Sequence, residues 1–166
     1  MRRSAGNYYL ETAGAASALP VLESRIEASV CIVGAGFAGL NTALGLAERG
    51  VHDVVLVEAD TPAFGASGRN GGFVFGGFSR GEASLLRDLG PVRANALYTG
   101  TTQAVELIRR RITRHGIAWD DTQAGIIWAN WFNDREGLRQ RQTLLRDAFD
   151  QDWQWMDRDE VRRQLR

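Results

Sequence analysis

Hydrophobic positions along the chain change period several times, and each change marks an element. Val30, Cys31, Ile32 and Val33 form an unbroken apolar run rich in β-branched residues. Such a run predicts a parallel strand buried on both faces, with Cys31 as a small buried hydrophobe within it. Leu40, Ala43, Leu44 and Ala47 follow at helical spacing and give one apolar face. Gly50 stops that helix, and residues 54–57 make a second apolar strand. Residues 29–60 therefore predict strand, helix, strand. Further on, residues 82–89 read as a short helix broken by Gly90 and Pro91, and Pro91 opens a longer one over residues 92–115. Its apolar positions are Ala94, Leu97, Ala104, Val105, Ile108 and Ile112. Gly116 ends it. Residues 117–119 and 125–129 read as two short strands. Asn133 is the expected N-cap of a helix over residues 134–149, with Glu136 as its capping-box partner. Asp157 and Glu160 predict a second capping box.

The junction between the first strand and its helix carries chemistry. Gly34-Ala35-Gly36-Phe37-Ala38-Gly39 is a G-x-G-x-x-G. Gly34 allows the tight turn off the strand. Gly36 lets backbone approach a pyrophosphate, and Gly39 lets helix and strand pack closely. The free N–H groups of the helix N-terminus, reached through Phe37 and Ala38, favour the phosphate charge. Glu58 ends the second strand, 19 residues after Gly39. A carboxylate there can accept hydrogen bonds from both ribose hydroxyls and repels a 2′-phosphate, which disfavours NADP. Strand, glycine turn, helix, strand and acid together predict dinucleotide binding.

From Asp60 to Arg80 the chain carries Gly65, Gly68, Gly71, Gly72, Gly76 and Gly77, too many for a stable helix or regular strand. Phe64, Phe73, Val74, Phe75 and Phe78 are also present, and a solvated linker would not carry them. The stretch is expected to bring backbone close to a ligand at the carboxyl edge of the sheet, with its aromatics buried nearby.

Composition narrows the class. The 166 residues are 44% apolar and 24% charged, with Lys+Arg and Asp+Glu equal at 20 each. That length allows one domain with a real core, and the balance gives no field favouring nucleic acid or an acidic membrane. The single cysteine rules out an intrachain disulfide and suits a reducing, cytoplasmic location. No apolar run approaches a membrane span. Residues 1–28 read as a mostly irregular arm, which Tyr8 and Tyr9 would anchor. Arg2-Arg3 begins no export signal, because no apolar central region follows.

Other chemistry is missing. His52 and His115 lack Cys or acidic neighbours at metal-ligand spacing, so no metal site is expected. No G-x-S-x-G elbow surrounds Ser67, and no P-loop is present. Arg109, Arg110, Arg111 and Arg114 read as a solvated last turn complementing the helix dipole. The five tryptophans read as packing residues.

GAGFAGLNTALGLAERG, VVLVEAD and above all GASGRNGG resemble the amino-terminal part of the FAD-dependent amine and D-amino-acid oxidase superfamily, in its gamma-glutamylputrescine oxidase-like branch. The likeness extends over NYYLETA, the long helix ending RHGI, QAGIIWA and the closing MDRDEVRRQL. It departs in the turn holding His52 and Asp53, one residue longer than the usual pattern.

The resemblance implies an α/β fold, a Rossmann-like FAD/NAD(P)-binding βαβ unit with the start of an α+β substrate domain, incomplete. Residues 1–28 would be the arm, 29–115 the FAD-binding region and 116–166 the beginning of the substrate domain. Gly34, Gly36, Phe37, Ala38 and Gly39 would bind the FAD pyrophosphate and Glu58 the adenosine ribose. Ser67, Arg69, Asn70, Gly71 and Gly72 would line the pyrophosphate-to-flavin segment. The implied reaction is hydride transfer from the carbon beside an amine of a small-molecule amine or amino acid to FAD, with oxygen as acceptor. No residue is assigned as general base. Family members are far longer, so the chain is expected to be an amino-terminal portion, inactive by itself. An NAD-dependent dehydrogenase using the same βαβ unit, or a noncatalytic nucleotide-binding or partner-binding fragment, remains the alternative.

Overall fold

The computed structural model describes residues 8–12, 19–119, 124–130 and 132–165. The chain divides into two compact units, Met1–Phe73 and Val74–Arg166.

The first unit opens with a short helix α1, Tyr8–Thr12, where an irregular arm was expected. Thr12 Oγ1 donates to the Tyr8 carbonyl, and the Tyr8 and Tyr9 rings meet edge to face. These local contacts hold one turn that hydrophobic periodicity is too short to reveal. The expected βαβ unit follows: β1 (Val30–Val33), α2 (Phe37–Ala47) and β2 (Val54–Val57). β1 and β2 pair in parallel, Val30 opposite Val54 through Val33 opposite Val57. A parallel pair needs a crossover, and α2 supplies it.

The ladder is fastened at both ends. At its start the Asp53 carboxylate accepts from Ser29 N at 2.8 Å and Ser29 Oγ at 2.6 Å. These bonds hold the Asp53 carboxyl below its ordinary range, the Ser29 hydroxyl contributing most. At its end Gly34 N donates to the Val57 carbonyl at 2.7 Å. The residue read as part of a lengthened surface turn is therefore a strand clamp.

β1 is not buried on both faces. Val30 and Ile32 are half-buried, whereas Cys31 and Val33 are exposed, Val33 at 84%. The reason is layer count: within the first unit, α2 is the helix that packs on the strands. The inner stripe of α2 also differs from the expected one. Leu40 and Ala47 are exposed, while Ala43, Leu44 and Leu46 are half-buried and Gly45 is buried.

The second unit is helical. α3, Glu82–His115, contains the predicted break: Gly90 has φ 73° and ψ 165° just before Pro91. Gly116, at φ 58°, caps it in the left-handed conformation that glycine tolerates. α4 spans Arg135–Phe149 and α5 spans Arg158–Gln164. Leu85, Ala94 and Tyr98 of α3 and Leu145 and Phe149 of α4 form the core, and the Tyr98 and Phe149 rings stand 4.8 Å apart. Burial pushes the Tyr98 hydroxyl above its ordinary pKa, and nearby Glu82 adds to that.

A polar network completes this unit. Arg141 donates to Glu82 at 2.8 Å, with side-chain exposures of 28% and 11%. The same guanidinium lies 3.7 Å from the Trp128 ring centroid and 5.5 Å from that of Trp153. Arg139 lies 3.7 Å from the Trp155 centroid. Three of the tryptophans thus do pack, against arginine faces. Trp119 is exposed, and Trp131 lies outside the described residues.

Residues 117–119 and 124–130 form no strand; Ile117, Trp119, Ile126, Ile127 and Trp128 are exposed. A short apolar run becomes a strand only when a second edge accepts its hydrogen bonds, and among the described residues β1 and β2 pair only with each other. The intervening residues 120–123 lie outside them. The N-cap of α4 is Asp134, whose carboxylate accepts from Gly137 N at 2.9 Å, while Asn133 takes φ 56°. Glu136 bonds Gln140 instead of closing a box. The Asp157–Glu160 box forms as expected. Arg111 is buried, unlike exposed Arg109, Arg110 and Arg114. It stands four residues beyond half-buried Leu107, on the same side of α3. Phe73, Phe75 and Phe78 are exposed, against the expectation of burial. No helix among the described residues is long and apolar enough to cross a membrane.

Candidate functional site

The site candidates of the first unit gather where β1 turns into α2. Gly34 leaves the strand at φ +97°, a conformation glycine adopts at no steric cost. A Cβ on Gly39 would overlap the Gly34 carbonyl oxygen and stand 3.4 Å from Ile32 Cγ2. Helix and strand meet at van der Waals distance only because Gly39 lacks one. Gly36 is the N-cap of α2, with no side-chain cap bond, and Leu40 N donates to its carbonyl at 3.0 Å. Phe37 and Ala38 open the helix with exposed side chains.

Two other segments close on this turn. Glu58, one residue past β2, accepts from Ala35 N at 2.7 Å and from Asp60 N at 3.2 Å. Those N–H groups, Ala35 first, hold its carboxyl below the usual glutamate range. Each carboxylate oxygen keeps lone-pair capacity, so Glu58 remains able to accept from a diol. The loop after Glu58 then docks twice. Ala63 N donates to the Ala35 carbonyl at 2.9 Å, and Ser67 Oγ accepts from Phe37 N at 2.9 Å. Ala63 holds φ 61°, strained for a residue with a Cβ. A Cβ on Gly36 would stand 3.0 Å from Ser67 Oγ, so the glycine also makes room for the loop.

Gly34, Gly36, Phe37, Ala38, Gly39, Glu58 and Ser67 are thus brought together by backbone and side-chain bonds. Arg69, Asn70, Gly71 and Gly72 follow on the same loop beyond a 3-10 turn, Ala66–Gly68, and among the described residues no hydrogen bond joins them to the glycine turn. The Arg69 guanidinium lies 4.7 Å from the Phe64 ring centroid. Gly72 takes φ +68°, and a Cβ on it would stand 3.7 Å from the Tyr9 hydroxyl. Ala35 and Ala63 escaped sequence reasoning, since only their backbone atoms act. No group of three or more His, Cys, Asp or Glu able to hold a metal occurs among the described residues.

The arrangement offers what an anionic dinucleotide needs: a glycine turn free of side chains, a helix start, an acceptor carboxylate and an exposed arginine. A parallel βαβ unit with a glycine turn at this place is consistent with a Rossmann-like fold. The sequence profile of the DAO family, FAD dependent oxidoreductase, matches residues 29–166, and the chain belongs to that family.

Among curated relatives, gamma-glutamylputrescine oxidoreductase of Escherichia coli (strain K12) is 37% identical over 136 residues, 82% of this chain and 31% of the relative. The probable oxidoreductase OrdL of Haemophilus influenzae is 35% identical over 114 residues, 69% of this chain and 26% of the relative. The bifunctional tRNA 5-methylaminomethyl-2-thiouridine biosynthesis protein MnmC of Pseudomonas syringae pv. syringae is 32% identical over 123 residues, 74% of this chain and 16% of the relative. The chain therefore spans less than a third of the length of these relatives. No solved structure matches it significantly.

Proposed function

We propose that this chain carries the FAD-holding segment of an oxidoreductase that oxidises the C–N bond of a small-molecule amine or amino acid. The observation that carries the reading is the docking of the GASGRNGG loop onto the glycine turn through Ser67, Phe37, Ala63 and Ala35. An NAD-binding turn needs the glycines and Glu58 alone. A second polar, glycine-rich loop held against them suits a cofactor that extends past its pyrophosphate to a flavin.

In this reading Gly34, Gly36, Phe37, Ala38 and Gly39 receive the pyrophosphate, and Glu58 accepts from the ribose hydroxyls. Ser67, Arg69, Asn70, Gly71 and Gly72 belong to the segment leading to the flavin. The guanidinium of Arg69 neutralises phosphate charge, and the glycines let backbone lie close to the ligand. When bound, FAD supplies the two-electron acceptor for the amine carbon's hydride, and oxygen then takes both electrons to give peroxide. The amine class rests on the likeness to gamma-glutamylputrescine oxidoreductase. Residues 29–115 remain the proposed cofactor region by function and 116–166 the start of the substrate region, while the compact units part after Phe73. The lone exposed thiol of Cys31 suits a reducing compartment such as the cytoplasm.

Purification of the chain, with FAD added during refolding if needed, tests the assignment. Flavin absorption that stays with the protein through gel filtration is expected. Colourless protein that retains NAD instead would overturn the reading.

A further inference from the structure

Asn70 stands inside the segment proposed to lead to the flavin, yet its side chain is wholly occupied by its own loop. Its Nδ2 donates to the Ser67 carbonyl at 2.8 Å and to the Ala66 carbonyl at 3.3 Å. Its Oδ1 accepts from Gly72 N at 2.9 Å. The partners fix the amide's orientation, because carbonyls only accept and a backbone N–H only donates. One side chain therefore ties the 3-10 turn before it to the backbone two residues after it. Between those two attachments sits Arg69, exposed, over the Phe64 ring, and without a carboxylate partner among the described residues. The loop's other anchor is Ser67, through Phe37 N.

We propose that Asn70 is a positioning residue that clamps residues 66–72 so that Arg69 is held ready for an anionic phosphate group, and that Asn70 itself makes no contact with the cofactor. This rests on the FAD reading for the identity of the ligand, but the clamp itself does not. Its chemistry is that of prepaid ordering: a loop closed by three hydrogen bonds in the free protein loses less conformational freedom when the ligand arrives. Arg69 reaches phosphate only as well as the backbone beneath it is placed. A residue that contacts the flavin would behave differently, since its removal would leave the adenylate half of the ligand untouched.

The test has two arms. In the ligand-free chain, the Gly72 amide exchanges with deuterium more slowly than an open loop amide. Asn70→Ala abolishes that protection, and Asn70→Asp weakens it too, because the carboxylate oxygen that faces the Ser67 and Ala66 carbonyls has no hydrogen to donate. Rapid exchange of Gly72 in the unsubstituted chain would overturn the clamp even if the chain binds no flavin. In the second arm, FAD and ADP affinities are measured by titration. Asn70→Ala lowers both by the same factor, roughly tenfold, the scale of one charge-assisted contact. In an Arg69→Ala background the same substitution has no further effect. Loss of FAD affinity alone would assign Asn70 to the flavin, and additive losses would separate it from Arg69; either result overturns the proposal. If the unsubstituted chain binds neither FAD nor ADP, the cofactor reading and the Arg69 role fall together, and the exchange arm alone decides the clamp.

Discussion

Gly39 meets the strictest steric condition in the glycine turn, since any Cβ there would overlap the Gly34 carbonyl oxygen. Backbone cannot yield as a flexible side chain can, so Gly39→Ala is expected to abolish the native βαβ packing. Loss of the cooperative unfolding transition of the first unit in Gly39→Ala would register this. Gly100 is the control: it lies within α3 with open space around its Cβ direction. Gly100→Ala is expected to stabilise by ~1 kcal/mol through helix propensity. A Gly39→Ala chain as stable as its parent would show that α2 does not sit as described.

Glu58 yields a pH prediction with a definite sign. Its folded-state value lies below the ordinary 4.5, because Ala35 and Asp60 N–H groups favour the carboxylate. The stability it contributes is therefore complete above that ordinary value and disappears as pH falls through the lowered folded one. Glu58→Gln, which cannot titrate, is expected to flatten the acid limb of the urea-midpoint curve, leaving the Asp53 contribution. Parallel acid limbs for parent and variant would refute the assignment. The existence of a carboxylate at residue 58 was legible in sequence. Its grip on Ala35 was not, because a backbone N–H carries no residue identity.

At the scale of elements, the βαβ order and the Gly90–Pro91 break were readable because each follows from local rules. A β-branched run, a helical stripe and a Gly-Pro pair act on their own neighbours. The segments at 117–119 and 125–129 were misread because strand formation depends on a partner edge. Trp128 instead finds its partner in Arg141, which is anchored on Glu82, 59 residues earlier in the chain. The α3–α4 pair is held chiefly by apolar packing. Leu145 is fully buried between Leu85, Ala94, Tyr98 and Phe149. Leu145→Ala is expected to cost about 2–5 kcal/mol, measured by urea unfolding with tryptophan fluorescence as the probe. A cost below 1 kcal/mol would mean that this core is not the one that sustains the second unit.

At the scale of the molecule, large apolar side chains stand exposed and the relatives are far longer than the chain. Val33 and Phe73 are each 84% exposed, and the chain covers 31% of the gamma-glutamylputrescine oxidoreductase it resembles. The described residues include the glycine turn proposed to hold the cofactor but no group assigned as a catalytic base. The chain by itself is therefore expected to bind FAD without amine-dependent peroxide formation. A coupled peroxidase assay with a panel of primary and secondary amines checks this, and turnover above the free-flavin background would refute it.

The amino-acid sequence by itself determined the βαβ order, the glycine turn, the acid at residue 58, the helix breaks and the family resemblance, since all of these are written in near-neighbour spacing. Tertiary structure alone decided that Asp53 clamps the strand starts and that Asp134 caps α4. It also decided that Arg111 is buried, that one face of β1 is open, and that Ser67 and Ala63 hang the GASGRNGG loop on the glycine turn. The physical reason is common to all five. Burial and hydrogen-bond partnership depend on which distant groups arrive in space, and a residue's type states only what it can accept, donate or bury.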